Sequence, residues 1–231
     1  MLVYVMKSPF ALIDSLVNFL DPLSVEWFVS GGWAIDIHLN RITRARCDLD
    51  ISVPFSDRLK CIEFFLAKGW RIEGKLGGGF KTLRRVSDCH DDIHYFWSFP
   101  AGVDFVSEYV DDDGNRRIAY NRDAQRALDY IEVFFDRIED SHFVFRRDPR
   151  VQRHEDRAIL ERDGVRYLAP EVVLLFKSNR LSDKNLLDFD AAVDSLDGEA
   201  LLWFTEALSL VYENSHAWLK QVADRIGRER E

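Results

Sequence analysis

Asp48 and Asp50 stand two residues apart in a run, residues 48–53, that reads as a strand ended by Pro54. Side chains alternate faces along a strand, so positions i and i+2 point the same way. Two carboxylates on one face repel unless a cation lies between them. Mg²⁺ suits that place, because it is ordinarily held by one or two carboxylates plus substrate phosphates. Upstream, residues 27–30 read as a short apolar strand, and Gly31-Gly32 turns the chain into a helix over residues 33–40. Glycine lets the backbone approach a ligand closely, and a helix start aims free N–H groups at an anion. Together the stretches predict phosphate donors at one end of a site and a metal at the other.

The spacing by itself is a weak signal. About three Asp-x-Asp spacings arise by chance at this Asp content. Three are present: Asp48/Asp50, Asp111/Asp113 and Asp188/Asp190. Asp111 to Asp113 precedes Gly114 and reads as a solvated turn. Asp188 and Asp190 lie in a helical pattern, where i and i+2 do not share a face. The first pair alone combines a strand, an apolar Leu49 between the acids and a Gly-Gly turn upstream. Other clusters read as structure. His90, Asp92 and His94 fit a loop running into a strand, since no second ligand cluster follows at zinc-like spacing. Arg146, Arg147, Arg150 and Arg153 are diluted by Asp148, Glu155 and Asp156 and read as a solvated surface. Gly77 to Gly79 resembles a phosphate loop in composition only. Trp33 and Trp97 read as core aromatics.

Hydrophobic spacing supplies the elements that must carry these residues. Ser8-Pro9 opens a helix whose apolar face includes Ile13, Leu16 and Leu20. Ser56 caps another, with Leu59, Ile62 and Phe65, closed by Gly69. Residues 70–75 read as a strand. Residues 94–99 and 103–110 read as a hairpin about Pro100-Ala-Gly102, with Asp104 on its second arm. Asp113-Gly114 turns into residues 117–120, and residues 121–138 read as a helix. Residues 143–145 and 158–168 are strands, the latter a hairpin about Asp163-Gly164. From Pro170 the pattern is helical: 170–178, 184–196, 198–212 and 215–227. The prediction is an α+β fold: a mixed sheet flanked by helices over residues 1–169 and a smaller helical domain over 170–231.

The 231 residues are 47% hydrophobic and 31% charged, a globular composition. A net charge of -9 opposes a long phosphate backbone and favours a cationic small molecule. No apolar run reaches the length of a membrane span. Cys47, Cys61 and Cys89 show no CxxC spacing, which suits reduced thiols and a cytoplasmic location.

The arrangement resembles the nucleotidyltransferase superfamily, and within it the aminoglycoside and lincosamide adenylyltransferases. The likeness rests on Gly31-Gly32-Trp33-Ala34-Ile35-Asp36, Thr43-Arg44 and Asp48-Leu49-Asp50-Ile51. It continues more loosely through Val103-Asp104-Phe105-Val106 and residues 169–177, with Lys184 and Asp188 beyond. The resemblance implies that Asp48 and Asp50 hold Mg²⁺. It implies that Asp104, between apolar neighbours, completes the metal site and serves as general base. Ser30, Gly31 and Gly32 would hold the phosphates of a nucleoside triphosphate, ATP by preference. Arg44 and Lys177 would add phosphate contacts; a loop charge and a helix-end cation are their structural alternatives. The implied activity is transfer of AMP to a hydroxyl of a small molecule such as an aminoglycoside, as in antibiotic resistance. A transferase that modifies a protein, as in toxin–antitoxin pairs, and a degenerate nucleotide-binding module are the alternatives. The chain departs from the pattern at Arg46, where the branch often has His, at Cys47, where it often has an acid, and at Lys184-Asn185. Arg46 would then take a phosphate in place of His, or mark another acceptor.

Overall fold

The computed structural model describes residues 9–228, so a Ser8 cap lies outside the described residues. Helix α1 (Ala11–Leu20) buries Ile13, Leu16 and Leu20, the i, i+3, i+7 stripe of an amphipathic helix. Strand β1 (Phe28–Val29) leads directly into α2 (Gly31–Leu39), and an irregular loop brings the chain to β2 (Asp50–Pro54). Helix α3 (Arg58–Ala67) follows a 3-10 turn and closes at Gly69, whose φ of 71° suits glycine. Then come β3 (Trp70–Leu76), β4 (Gly79–Leu83), β5 (Tyr95–Pro100), β6 (Val106–Val110) and β7 (Arg116–Tyr120). Strands β8 (Ile131–Glu139), β9 (His142–Val144) and β10 (Gln152–His154) lead to the one-turn α4 (Glu155–Ala158), β11 (Ile159–Arg162) and β12 (Val165–Leu168). The chain ends in α5 (Pro170–Lys177), α6 (Asp183–Ala192), α7 (Gly198–Tyr212) and α8 (Ala217–Arg228).

A mixed sheet runs β11-β12-β1-β2-β8-β5-β3-β4, extended by β9 on β8 and β10 on β9, while β6 and β7 form a separate hairpin. The α+β architecture is as the sequence predicts. In the middle, β1 and β2 are antiparallel and β2 and β8 parallel. One face is apolar: Ile51, Val53, Val133 and Phe135 are buried, and Phe65 of α3 meets Phe96 edge-on at 5.5 Å. Alternation therefore sends Asp50, Ser52, Glu132, Phe134 and Asp136 to the other face. Helix α5 packs on α2, α6 and α7 and lines a cavity on that face through Val173, Phe176 and Lys177. It buries six of its eight residues, Val172 to Leu175 among them, the pattern of a helix enclosed on all sides. The buried cluster runs without a break from Ile13 through Val29 and Val172 to Trp218, so the helical tail shares one core with the sheet.

Two expected elements fail, and Ser56 is not a cap: it lies in the 3-10 turn, and Asp57 directly precedes the helix. Residues 121–138 are not a helix: β8 takes residues 131–139 and lies at the centre of the sheet. Leu128, Ile131 and Phe135 mimic a helical stripe. The decisive pattern is Ile131, Val133 and Phe135, buried at a period of two. Nor do residues 94–99 and 103–110 pair as a hairpin. β5 pairs with β3 and β8, and β6 pairs with β7. Local turn chemistry sets a reverse turn, but the sheet's long-range pairings choose the partner.

Candidate active site

The bend after β1 and the start of β2 meet edge to edge. Ser30 N donates to Asp50 O at 2.9 Å, and Gly31 adopts a φ of +59°. A Cβ on Gly31 would fall 1.8 Å from Asp50 Oδ2, so only glycine lets that carboxylate lie against the bend. Helix α2 begins at Gly31 itself, two residues before the expected start. Its first N–H groups lie beyond Ser30, whose buried hydroxyl has no hydrogen-bond partner among the described residues.

Asp48 precedes the regular strand. Its carbonyl accepts from Trp33 Nε1 at 3.0 Å, which ties the acidic loop to α2. Trp33 is thus a core residue with a polar task. On the other side, Glu132 N donates to Leu49 O at 2.9 Å, and Glu132 is the register partner of Asp50. The two carboxylates therefore share the sheet face that Asp48 approaches. Enclosure by the fold, then the Asp48 charge, pushes the Asp50 carboxyl up to about 7, against Lys177, Lys184 and Arg46, which lower it. Burial, followed by Asp50 and Asp48, also raises Glu132 well above the usual carboxylate range. Three acids crowded in this way favour protonation or an added cation.

A second acid organises the opposite wall. Asp188 of α6 is fully buried. It accepts from Arg44 Nε at 2.9 Å and Nη2 at 2.8 Å, from Arg46 Nη1 at 2.6 Å, and pairs with Lys177 Nζ at 2.9 Å. Burial opposes its charge, but the Arg44 hydrogen bond, with Lys177 and Arg46, holds it well below the carboxylate range. Arg46 also forks onto Asp36 of α2 through Nε and Nη2, both at 2.7 Å. The expectation that Arg46 takes a phosphate is therefore corrected. Arg46 is 2% exposed and committed to two carboxylates, so it clamps α2 to α6. Gly32 makes room for it, since a Cβ there would lie 2.4 Å from Arg46 Nη1.

Between these walls lies a cavity of about 500 Å³. Ser30, Gly31, Gly32, Arg44, Asp48, Asp50 and Lys177 all line it, so the structure brings these sequence candidates together. Asp104 is the exception and is corrected. It is exposed, in the loop before β6, and does not line the cavity. Glu132 stands where the sequence placed Asp104. A helical stripe over residues 121–138 hides it in the sequence, although a lone acid between Ile131 and Val133 is the same signal that singles out Asp104. Arg146 is also corrected, since it is half-buried and lines the cavity beside the exposed Arg147, and so is Arg153, buried against Glu171 at 2.5 Å. The turn at Asp111 and the cluster at His90 behave as the sequence suggests. Asp111 Oδ1 accepts from Asp113 N and Asn115 N inside its turn, and His90 pairs with Asp92 at the surface. No three His, Cys, Asp or Glu side chains among the described residues are gathered closely enough to hold a metal by themselves. No helix among the described residues is long and apolar enough to cross a membrane.

Comparison with known proteins agrees with this geometry. The family model for aminoglycoside-2''-adenylyltransferase matches residues 12–96, a span that contains Gly31, Asp48 and Asp50 and stops before Glu132. A 2''-aminoglycoside nucleotidyltransferase of Klebsiella pneumoniae is 30% identical over 86 residues, which are 37% of this chain and 48% of that protein. Its Escherichia coli counterpart matches to the same extent. The chain thus spans about half the length of the curated relatives it matches. The fold extends further. The solution structure of the antibiotic-resistance factor ANT(2'')-Ia superposes with a TM-score of 0.52 at 15% identity, over 95% of this chain and 96% of that one. The crystal structure of ANT(2'')-Ia in complex with adenylyl-2''-tobramycin gives 0.52 at 16% identity, over 86% and 96%. In sequence over residues 12–96 and in fold over nearly its whole length, the chain resembles the nucleotidyltransferases of the aminoglycoside branch.

Proposed function

We propose that this protein transfers a nucleoside monophosphate, AMP from ATP, to a hydroxyl of a small cationic molecule of the aminoglycoside type. The observation that carries this reading is the contact between the Gly31 bend and the Asp50 carboxylate, on a cavity floor shared with Asp48 and Glu132. A phosphate held at the bend and a cation held by the carboxylates would then lie side by side.

The donor set fits a hard divalent cation. Asp48 and Asp50 supply carboxylate oxygens, and the triphosphate supplies the remainder, which is how Mg²⁺ is commonly held. When bound, the ion neutralises charge on the reacting phosphates. Ser30 Oγ and the first N–H groups of α2 donate to the terminal phosphates. Arg44 and Lys177 contribute positive charge from fixed positions, because Asp188 anchors both. Lys184, which also lines the cavity, adds to this field. Glu132, raised well above the usual carboxylate range by burial and its acidic neighbours, takes the proton of the acceptor hydroxyl in its ionised form, and the raised affinity for a proton makes it the stronger base. Acids occupy the floor, while the walls are basic through Arg44, Arg147, Lys177 and Lys184. The walls suit the triphosphate and the floor suits a cationic acceptor.

The test is Mg²⁺-dependent pyrophosphate release from ATP with a panel of aminoglycosides, tobramycin included. Acceptor-dependent release supports the reading. Nucleotide binding without release for any small acceptor favours a non-catalytic module, and release that needs a protein acceptor favours the protein-modifying alternative. Gly31→Ala offers a sharper probe. Its Cβ would displace Asp50, and its φ disfavours any L side chain by about 1–2 kcal/mol. Release should fall at least about tenfold, with the melting temperature lowered only modestly. Wild-type turnover in Gly31→Ala would detach the bend from the chemistry.

A further inference from the structure

Beyond the carboxylates the cavity continues along β2 and β8 to Ser52, Phe134 and Asp136. Asp136 is 1% exposed. Its Oδ2 accepts from Ser52 Oγ at 2.7 Å. Its Oδ1 has no hydrogen-bond partner among the described residues, and neither does the buried Nη1 of Arg146, 3.8 Å away. That separation is too long for a hydrogen bond. Buried polar atoms left open cost free energy that a ligand can recover. The guanidinium is also fixed, lying 4.7 Å from the Phe134 ring centre and 5.0 Å from that of Phe176.

The open pair is one acceptor beside one donor, facing a cavity and flanked by aromatic rings. An ammonium group would be repelled by Arg146, and a phosphate by Asp136. The complement is a flat edge that carries a donor next to an acceptor. The amine and ring nitrogen of adenine present that edge. Guanine carries the same order through N1–H and O6, so the pair reads a donor–acceptor base edge and does not by itself exclude guanine. Position agrees with chemistry. Asp136 lies four residues along β8 from Glu132, about 13 Å at the rise of a strand. With phosphates at Ser30 and Gly31, a nucleoside lying along the strands would bring its base to this end.

We propose that Asp136 and Arg146 form a base-reading subsite that takes the amine and ring nitrogen of adenine, with Ser52 orienting the carboxylate. This rests on the nucleotidyl-transfer reading above. The test is equilibrium binding, by the full chain with Mg²⁺, of ATP, GTP and purine riboside triphosphate, which lacks the exocyclic amine. Wild-type protein should bind ATP about tenfold or more tightly than purine riboside triphosphate, as expected for one hydrogen bond to a buried carboxylate. In Asp136→Asn and in Arg146→Met the preference should shrink to about twofold or less. Equal binding of ATP and purine riboside triphosphate by wild type overturns the subsite, as it would if water closes the pair. A preference that survives both substitutions overturns it too. If the variants fail to fold, the wild-type comparison decides alone. Binding of every triphosphate alike removes only the subsite, whereas binding of none removes the transfer reading beneath it.

Discussion

Glu132→Gln should lower nucleotidyl transfer by on the order of 10²–10³-fold, while Asp104→Asn stays within about twofold of wild type. The magnitude follows from the roles. A positioned general base contributes about 10²–10⁴-fold, and each 1.36 kcal/mol lost from transition-state stabilisation is about tenfold in rate. Asp48→Asn and Asp50→Asn should show losses at least as large, since they remove ligand charge as well. The measurement is steady-state pyrophosphate release with ATP, Mg²⁺ and the best acceptor. A severe defect in Asp104→Asn beside a mild one in Glu132→Gln would return the third-carboxylate role to the exposed loop and undo the site described here.

The same carboxylates make a stability prediction of opposite sign. Burial and the Asp48 charge raise Asp50 from an ordinary 3.8 to about 7 in the folded protein. A raised folded-state pKa gives stability that is complete below the unfolded value and is lost as pH rises through the folded one. Without divalent metal, the protein should therefore melt higher at pH 6 than at pH 8. Asp50→Asn should flatten that dependence and raise the melting temperature at pH 8. Added Mg²⁺ should stabilise wild type more at pH 8 than at pH 6, since proton and cation compete for the same oxygens. A metal-free melting temperature that rises from pH 6 to pH 8 would mean that the cavity floor is not charge-strained.

Asp188→Ala should cost about 3–5 kcal/mol, the usual penalty for removing one partner of a buried ion pair. For a chain of this size that corresponds to roughly 6–20 °C in melting temperature. The cause is specific. Arg46 would keep Asp36 but lose the partner of its Nη1 inside the core, and Arg44 and Lys177 would lose their anchor. Nucleotide affinity should fall as well, because two cavity-lining cations would be free to turn away. The pH signature differs from that of Asp50. Asp188 is depressed, so its contribution is present above the ordinary carboxylate value of 3.8 and fades as pH falls below it. Wild type should lose stability below about pH 4 more steeply than Asp188→Asn. Thermal melts across pH 3–7 on both proteins check this. Parallel profiles would mean that Asp188 is no hub.

The short-range features of the site were legible in the chain. Asp48 and Asp50 flank a buried Leu49, and Gly31 sits where only a residue without Cβ fits. Such signals survive in sequence because strand alternation and glycine geometry act over a few residues. The helices from Pro170 onward were legible for the same reason, through apolar spacing and punctuation by Pro170 and Gly198. What sequence could not fix was partnership at a distance. Glu132 reaches Asp50 across a parallel pairing of strands 82 residues apart, and Asp188 reaches Arg44 across 144. Arg46 read as a phosphate ligand and Arg146 as surface, because charge alone does not reveal what lies opposite. Which acid joins the pair, and which cations are free to meet a ligand, depends on burial and facing groups. Those arise only when the sheet assembles and α5 and α6 face its polar side across the cavity.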